Sequence, residues 1–293
     1  MLEKIISRLP WGNYAHNLNV SIFDMVMGRL NLRDKYSVRS YFLGTNNALN
    51  YICNILEKQY SINKNFKFGD ILIPKFITSR QEKEAFIGEF FDFIYPYISN
   101  IIIENVGEGP YVYNKVSLNP KDVVIDAGAN LGMFSALAAS KQCIVYAFEP
   151  VKNIRNKYLS KTVEINSNIN MVPLALSNTS GKTEIEVTNG ELGGSSIVLK
   201  KSNYTKEVIE TISLDEWAKQ NNISKIDFIK ADIEGAERLM LEGAQYILKT
   251  YAPKLAICTY HLPDDKEVLT NLILKANPNY KIEYKWKKLY ANV

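Results

Sequence analysis

The stretch DVVIDAGANLGMF, residues 122–134, decides the fold. A run of apolar residues ends in Asp126, and Gly128 and Gly132 then flank Ala129-Asn130-Leu131. An apolar strand followed at once by a glycine-punctuated turn and a helical pattern is the start of an α/β unit. A turn without side chains at two points lets backbone N–H groups approach a ligand. The spacing is GxxxG rather than GxGxxG, so a nicotinamide dinucleotide is disfavoured. Asp126, at the strand end, can accept hydrogen bonds from a ligand's ammonium group or from ordered water, which points to a polar ligand carrying a cation.

Outward from this turn, short apolar runs alternate with helical stretches: IIIENV (101–106), VVIDAG (123–128), IVYAFEP (144–150), NMVPLAL (170–176), IDFIKAD (226–232) and KLAICTY (254–260). That alternation predicts a doubly wound α/β sheet, with helices over 131–140, 151–166, 214–221 and 235–249. Ligands of such sheets gather beyond the carboxyl ends of the strands. Glu149 ends the second strand a little over twenty residues after Asp126, where a carboxylate can receive both hydroxyls of a ribose and disfavours a 2′-phosphate. The competing reading is that Asp126 and Glu149 only cap the helices that follow.

With 293 residues, 46% hydrophobic and 23% charged, the chain can bury a large core, and a formal charge of +4 without basic blocks does not imply nucleic acid. Cys53, Cys143 and Cys258 lie far apart with no CxxC spacing, which fits a reducing compartment. No apolar run is long enough for a transmembrane segment and the opening residues do not make a secretory signal, so the expected location is cytoplasmic. Residues 1–104 are expected to form a mainly helical N-terminal region: Ile22, Met25, Val26 and Leu30 recur at helical spacing, as do Ala48, Ile52, Ile55 and Leu56. A helix is expected to stop near Pro96. Aromatics such as Tyr41, Phe42, Phe90 and Phe93 serve packing, an acceptor cover or contact within a homo-oligomer. Residues 105–293 form the α/β domain.

Four segments in order, DAGANLGMFSALAA (126–139), YAFEPVKNIRNKYL (146–159), VPLALSNTSGKTEIEV (172–187) and TISLDEWAKQNNISKIDFIKADIEGAERLMLEGA (211–244), closely resemble the FkbM family of S-adenosylmethionine-dependent methyltransferases. The resemblance implies a class I methyltransferase, Rossmann-like sheet with S-adenosyl-L-methionine at the DxGANxG turn and an O-methyl product on a sugar, glycan or natural-product hydroxyl. Asp126, Gly128, Asn130, Gly132 and Glu149 would form the cofactor side, with Phe134 and Pro150 shaping the pocket and Ala175 beside the adenine. The partner would be a small-molecule or glycan acceptor.

The second cluster is acidic. Asp232 ends a strand, and Glu234 and Glu237 fall at the head of a helix, where carboxylates suit the dipole and an N-cap role is the plain alternative. Alternation puts Phe228, Lys230 and Asp232 on one strand face, so Lys230 pairs with an acid or helps hold substrate. His261 ends the neighbouring strand and is the expected base for an alcohol nucleophile, with Asp232 or Glu234 orienting it or holding the hydroxyl. A divalent metal on Asp232, Glu234 and His261 is conceivable but ranks below base catalysis or simple positioning, because no tight ligand spacing is visible. The loop at 189–204 reads as a hairpin connection or an acceptor contact, with Ser195 and Ser196 too generic to assign. The closing KIEYKWKKLYANV reads as an edge strand with basic exposed positions. A non-catalytic module that binds the cofactor and recruits a partner through the N-terminal region is the alternative function.

Overall fold

The computed structural model describes residues 46–99, 109–188, 195–199 and 204–293. Two compact units emerge. One is drawn from the described residues up to Gly69 and between Pro74 and Pro110, the other from Asp70–Ile73 and Tyr111–Val293. The expected helix around Ile22 to Leu30, the aromatics Tyr41 and Phe42, and the run IIIENV lie outside the described residues.

In the first unit, α1 (Asn46–Tyr60) buries Leu49, Ile52 and Leu56 at three- and four-residue spacing. Strands β1 (Ser61–Ile62) and β2 (Asn65–Phe68) pair antiparallel. Gly69, at φ +62°, turns the chain into β3 (Ile71–Pro74), whose first three residues are counted with the second unit. Helix α2 (Arg80–Glu89) opens on a capping box, in which the Ser79 hydroxyl accepts from the Glu82 N–H and the Glu82 carboxylate accepts from the Ser79 N–H. The chain then widens into a π-turn at Phe90–Ile94 and continues as α3 (Tyr95–Ser99). Pro96 therefore lies within a helical run that continues to Ser99, just after the π-turn. Phe66, Phe68, Phe86 and Phe90 are buried together, with ring centroids 5.0 Å apart for Phe68 and Phe90.

The second unit follows the expected alternation. Strand β4 (Val123–Ala127) leads through the glycine turn to α4 (Met133–Ser140) and β5 (Ile144–Phe148). A helical run made of α5 (Lys152–Ile154), a π-turn at Arg155–Leu159 and α6 (Ser160–Glu164) then reaches β6 (Ile169–Val172). After β7 (Ala175–Ser177), strands β8 (Gly181–Thr188) and β9 (Tyr204–Ser213) pair antiparallel, so the loop between them connects a hairpin. The chain returns through α7 (Leu214–Gln220) to β10 (Phe228–Ala231), α8 (Glu237–Glu242), α9 (Gln245–Thr250), β11 (Lys254–Cys258) and α10 (Asp265–Ala276), and ends in β12 (Lys281–Lys285) and β13 (Lys288–Asn292).

Among the described residues the main sheet has the order β12-β13-β11-β10-β4-β5-β6. The five strands from β11 to β6 are parallel, and β13 is antiparallel to both its neighbours. The order reverses between β4 and β10, which makes their carboxyl ends the switch point where α/β sheets hold ligands. One face of the sheet carries Ile125, Ala127, Ile229, Ala231 and Leu255 into a core closed by Trp217, Met240 and Ile273. The opposite face carries Asp126 beside Lys230, which the β4–β10 register sets directly across from each other.

Two expectations are corrected. The single helix over 235–249 is broken into α8 and α9 at Gly243, where a Cβ would lie 2.2 Å from the Ser177 carbonyl oxygen; this close backbone approach admits only glycine. The closing segment is a hairpin turning at Trp286 (φ +52°), and β13 lies inside the sheet, with Lys288 only 1% exposed. Alternating charge suggested an exposed edge, but β12 takes the edge and β13 is covered on both sides. No helix among the described residues is long and apolar enough to cross a membrane.

Candidate functional site

The DAGANLG turn is built mainly by internal bonds. The N–H groups of Gly128 and Ala129 both donate to the Phe148 carbonyl (3.1 and 3.0 Å), and Gly132 N–H donates to Ala129 (2.7 Å). The first two N–H groups therefore fix the turn against β5, and the third closes it on itself. Gly128 (φ +76°) is required because a Cβ would fall 2.0 Å from the Asp232 carbonyl oxygen. Gly132 (φ +82°) is required by packing, since its Cβ would lie 2.9 Å from the side chains of both Leu159 and Thr162.

Asp126 is fully buried and committed: Ser135 Oγ donates to it at 2.6 Å and Lys230 Nζ lies 3.0 Å from Oδ1. Lys230 also donates to the carbonyls of Ala127 (3.2 Å) and Gly128 (2.6 Å). Burial works against its charge, yet Asp126 and Asp232 outweigh that and raise its pKa. Asp126 thus anchors the turn from behind, with Lys230 as its buried counter-ion. The Phe134 ring packs on Tyr111 (5.4 Å) and Phe228 (5.8 Å), inside the core. Gly132, Asp126, Lys230 and Phe134 do not line the cavity described next.

At the carboxyl ends of β4, β5 and β10 an open cavity is bordered by Gly128, Asn130, Glu149, Pro150 and Ala175 from the expected cofactor side, and by Asp232 and Glu234 from the acidic cluster. Its apolar wall, Ile154, Leu174, Ile185 and Ile197, was not foreseen, because single aliphatic residues on four separate segments leave no local signal. Ser195 also borders it. Glu149 is 6% exposed; its Oε1 accepts from Val151 N–H (2.9 Å) and its Oε2 from Asn130 N–H (3.1 Å). Burial pushes its pKa up to about 7, against the lowering by those two backbone donors and by the charges of Lys230 and Arg155.

The second cluster is assembled from the turn between β10 and α8 and from the residues after β11. Asp232 accepts from the Tyr111 hydroxyl at 2.7 Å. Glu237, fully buried, accepts from Ile233 N–H (2.8 Å) and Gly235 N–H (3.0 Å), so it closes the turn in which Glu234 (φ +53°) and Gly235 (φ +98°) adopt left-handed backbone. The His261 ring sits against these acids: Nδ1 lies 3.1 Å from Glu237 Oε1, and Nε2 lies 3.7 Å from Asp232 Oδ1 and 4.0 Å from Glu234 Oε1. One donor atom each from Asp232, Glu237 and His261 falls within 4.8 Å of the others.

Burial opposes charging of His261, but the contact and charge of Glu237, then the charges of Asp232 and Glu234, outweigh it and raise its pKa to about 9. The acids around the ring thus favour its protonated form. Asp232 is held below the usual carboxylate range: burial raises its pKa, and Lys230, Lys288, the Tyr111 hydroxyl and His261 together lower it further. Tyr111 and Lys288 were missed by sequence reading, being 121 residues before and 56 after Asp232 with no motif to mark them. Glu237 was seen only as a helix-head acid.

Residues 126–282 match the family described as Methyltransferase FkbM domain. Hexuronic acid methyltransferase AglP of Haloferax volcanii is 26% identical over 161 residues, which are 55% of this chain and 65% of that protein. The crystal structure of Methyltransferase FkbM from Methylobacillus flagellatus KT aligns over 97% of this chain and 60% of its own, with 18% identity and a TM-score of 0.45. Precorrin-6y C5,15-methyltransferase from Geobacter metallireducens GS-15 aligns over 60% of this chain and 81% of its own, with 12% identity and a TM-score of 0.36. The chain thus spans less than two thirds of the length of the first two relatives. The family match runs from Asp126 past His261, over more than half of the chain and across both clusters of the site, and the chain therefore belongs to the FkbM methyltransferase family.

Proposed function

We propose that this chain transfers the methyl group of S-adenosylmethionine to a hydroxyl of a sugar or glycan. The observation that carries the proposal is that one cavity, at the switch point of the sheet, holds Glu149 on one side and Asp232 with Glu234 on another. Glu149 would receive the ribose hydroxyls; Gly128 and Asn130 border the methionine end, and Pro150, Ala175 and the apolar wall flank the adenosine. The acceptor would lie toward Asp232 and Glu234. In the transfer the hydroxyl oxygen bonds to the methyl carbon, the carbon–sulfur bond breaks with its electron pair left on a neutral thioether, and the hydroxyl proton passes to water. Alignment of two bound reactants is worth about 7–11 kcal/mol in favourable cases, so placement supplies much of the rate. A sugar acceptor is supported by the relative named as a hexuronic acid methyltransferase.

Calorimetric titration with S-adenosylmethionine and with NAD tests the cofactor, and trideuteromethyl transfer from labelled cofactor to uronic-acid glycosides, read by mass spectrometry, tests the acceptor. S-adenosylmethionine is expected to bind and NAD not; equal binding of the two, or of neither, would reject the proposal. Label in no hydroxyl of any sugar, with cofactor bound, would leave the non-catalytic cofactor-binding reading.

A pH dependence follows from Glu149. Its proton affinity is higher folded than unfolded, so its contribution to stability is full below pH 4.5 and is lost as pH rises to about 7, a change of about 3 kcal/mol. Hydroxyls donating to the carboxylate favour its ionised form, so cofactor binding below pH 7 must release a proton. Affinity for S-adenosylmethionine is expected to fall about tenfold per pH unit below 7 and to level off above it. Titrations in buffers of different ionisation enthalpy measure the proton directly; affinity independent of pH between 6 and 8 would refute the ribose assignment.

A further inference from the structure

We infer that residues 195–199 form a strap along the wall of the cavity, and that Ser196 is the positioning residue that pins it to the turn carrying Asp232 and Glu234. That the ligand is S-adenosylmethionine rests on the proposed methyl transfer; the pin itself does not. The central observation is the Ser196 hydroxyl. Ser196 is 1% exposed, and its Oγ donates to the Glu234 carbonyl at 2.6 Å while accepting from Val198 N–H (3.0 Å) and Leu199 N–H (2.7 Å). A hydroxyl has one donor and two lone pairs, so all three of its positions are used.

The backbone of the same residue is tied to the opposite side. Ser196 N–H donates to the Glu186 carbonyl (3.0 Å) and Glu186 N–H donates to the Ser196 carbonyl (2.9 Å), a short antiparallel bridge between the strap and β8. In extended backbone successive side chains point to opposite sides. Ser195 and Ile197 border the cavity, and Ser196 between them does not. Ile185 borders it from β8, and Ile233, Glu234 and Ala236 from the turn. The strap therefore joins the two walls.

The turn is shaped to receive it. A Cβ on Gly235 would come 3.3 Å from the Leu199 side chain and 3.5 Å from that of Val198, so both rest on bare backbone. Glu234 has left-handed backbone (φ +53°), which a residue with a side chain keeps only where its surroundings hold it. The Ser196 bond to its carbonyl is one such hold. Ser196 thus places two groups together: Ile197 on the adenosine side and Glu234 on the acceptor side. Alanine at this position takes a partner from one carbonyl and two N–H groups at once.

The test is calorimetric titration of the full chain with S-adenosylmethionine, on the unmodified protein, Ser196→Ala, Ile197→Ala and the double variant. Each single change is expected to weaken binding about tenfold, and the double change little more, because Ile197 has no contact left to lose once Ser196 no longer places it. A purely structural serine would give losses that multiply to about a hundredfold, and that result, or unchanged affinity in Ser196→Ala, would overturn the role. Hydrogen exchange on the same variants, without ligand, reads the pin directly. Ser196→Ala should speed exchange in residues 232–236 as well as in 195–199, with β4 and β10 unchanged; faster exchange confined to 195–199 would reject the pin. If the unmodified chain takes up no S-adenosylmethionine while exchange spreads to 232–236, the cofactor reading falls and the pin stands. If the cofactor binds and exchange does not spread, only the pin falls.

Discussion

Replacing Lys230 by methionine is expected to destabilise the protein by about 3–5 kcal/mol, because it leaves the Asp126 carboxylate buried without its counter-ion. Asp126 has no exposure, and among the described residues the only other side chain that donates to it is Ser135. Lys230 also holds the Ala127 and Gly128 carbonyls, so the loss extends into the turn that borders the cavity. Against a typical total of about 5–15 kcal/mol, this moves the denaturation midpoint far enough to be unmistakable in urea. The double variant Asp126→Asn with Lys230→Met removes both charges and should be more stable than Lys230→Met alone. If the two single effects simply add, the groups do not act as a buried pair and Lys230 returns to candidacy as a substrate contact.

Gly128→Ala is expected to cost more than about 4 kcal/mol and to abolish cofactor binding. The methyl group would fall 2.0 Å from the carbonyl oxygen of Asp232, the residue directly after β10, whose last pair with β4 is Ala231 opposite Ala127. Gly69→Ala is the control: it has a similar positive φ of +62° but nothing within 4 Å of its Cβ, so it carries only the backbone penalty of about 1–2 kcal/mol. Thermal melts of both variants, with calorimetry of S-adenosylmethionine, separate clash from strain. Equal losses in the two would mean that strands β4 and β10 are not held as close as the carbonyl contact requires.

Local order was legible in the chain. The apolar runs ending at Ala127, Phe148, Ala231 and Cys258 became parallel strands because a strand covered on both faces must be apolar throughout, and that leaves a readable mark. Gly128 and Gly132 were recognised as obligatory, though for a different reason. Sequence suggested bare backbone facing a ligand, and the structure shows the Asp232 carbonyl beside Gly128 and the Leu159 and Thr162 side chains beside Gly132.

By itself the sequence determined the alternation of strands and helices, the position of the glycine turn, the acid at the end of β5 and the second acidic group near His261. Those are properties of short windows, set by backbone geometry and by which face of an element is apolar. Only the tertiary structure decided what each charged group does. The β4–β10 register turned Asp126 and Lys230 toward each other, Tyr111 reached Asp232 from 121 residues away, and Glu237 folded back onto His261. The state of a titratable group depends on burial and on neighbours within a few ångströms, and in a doubly wound sheet those neighbours come from distant parts of the chain.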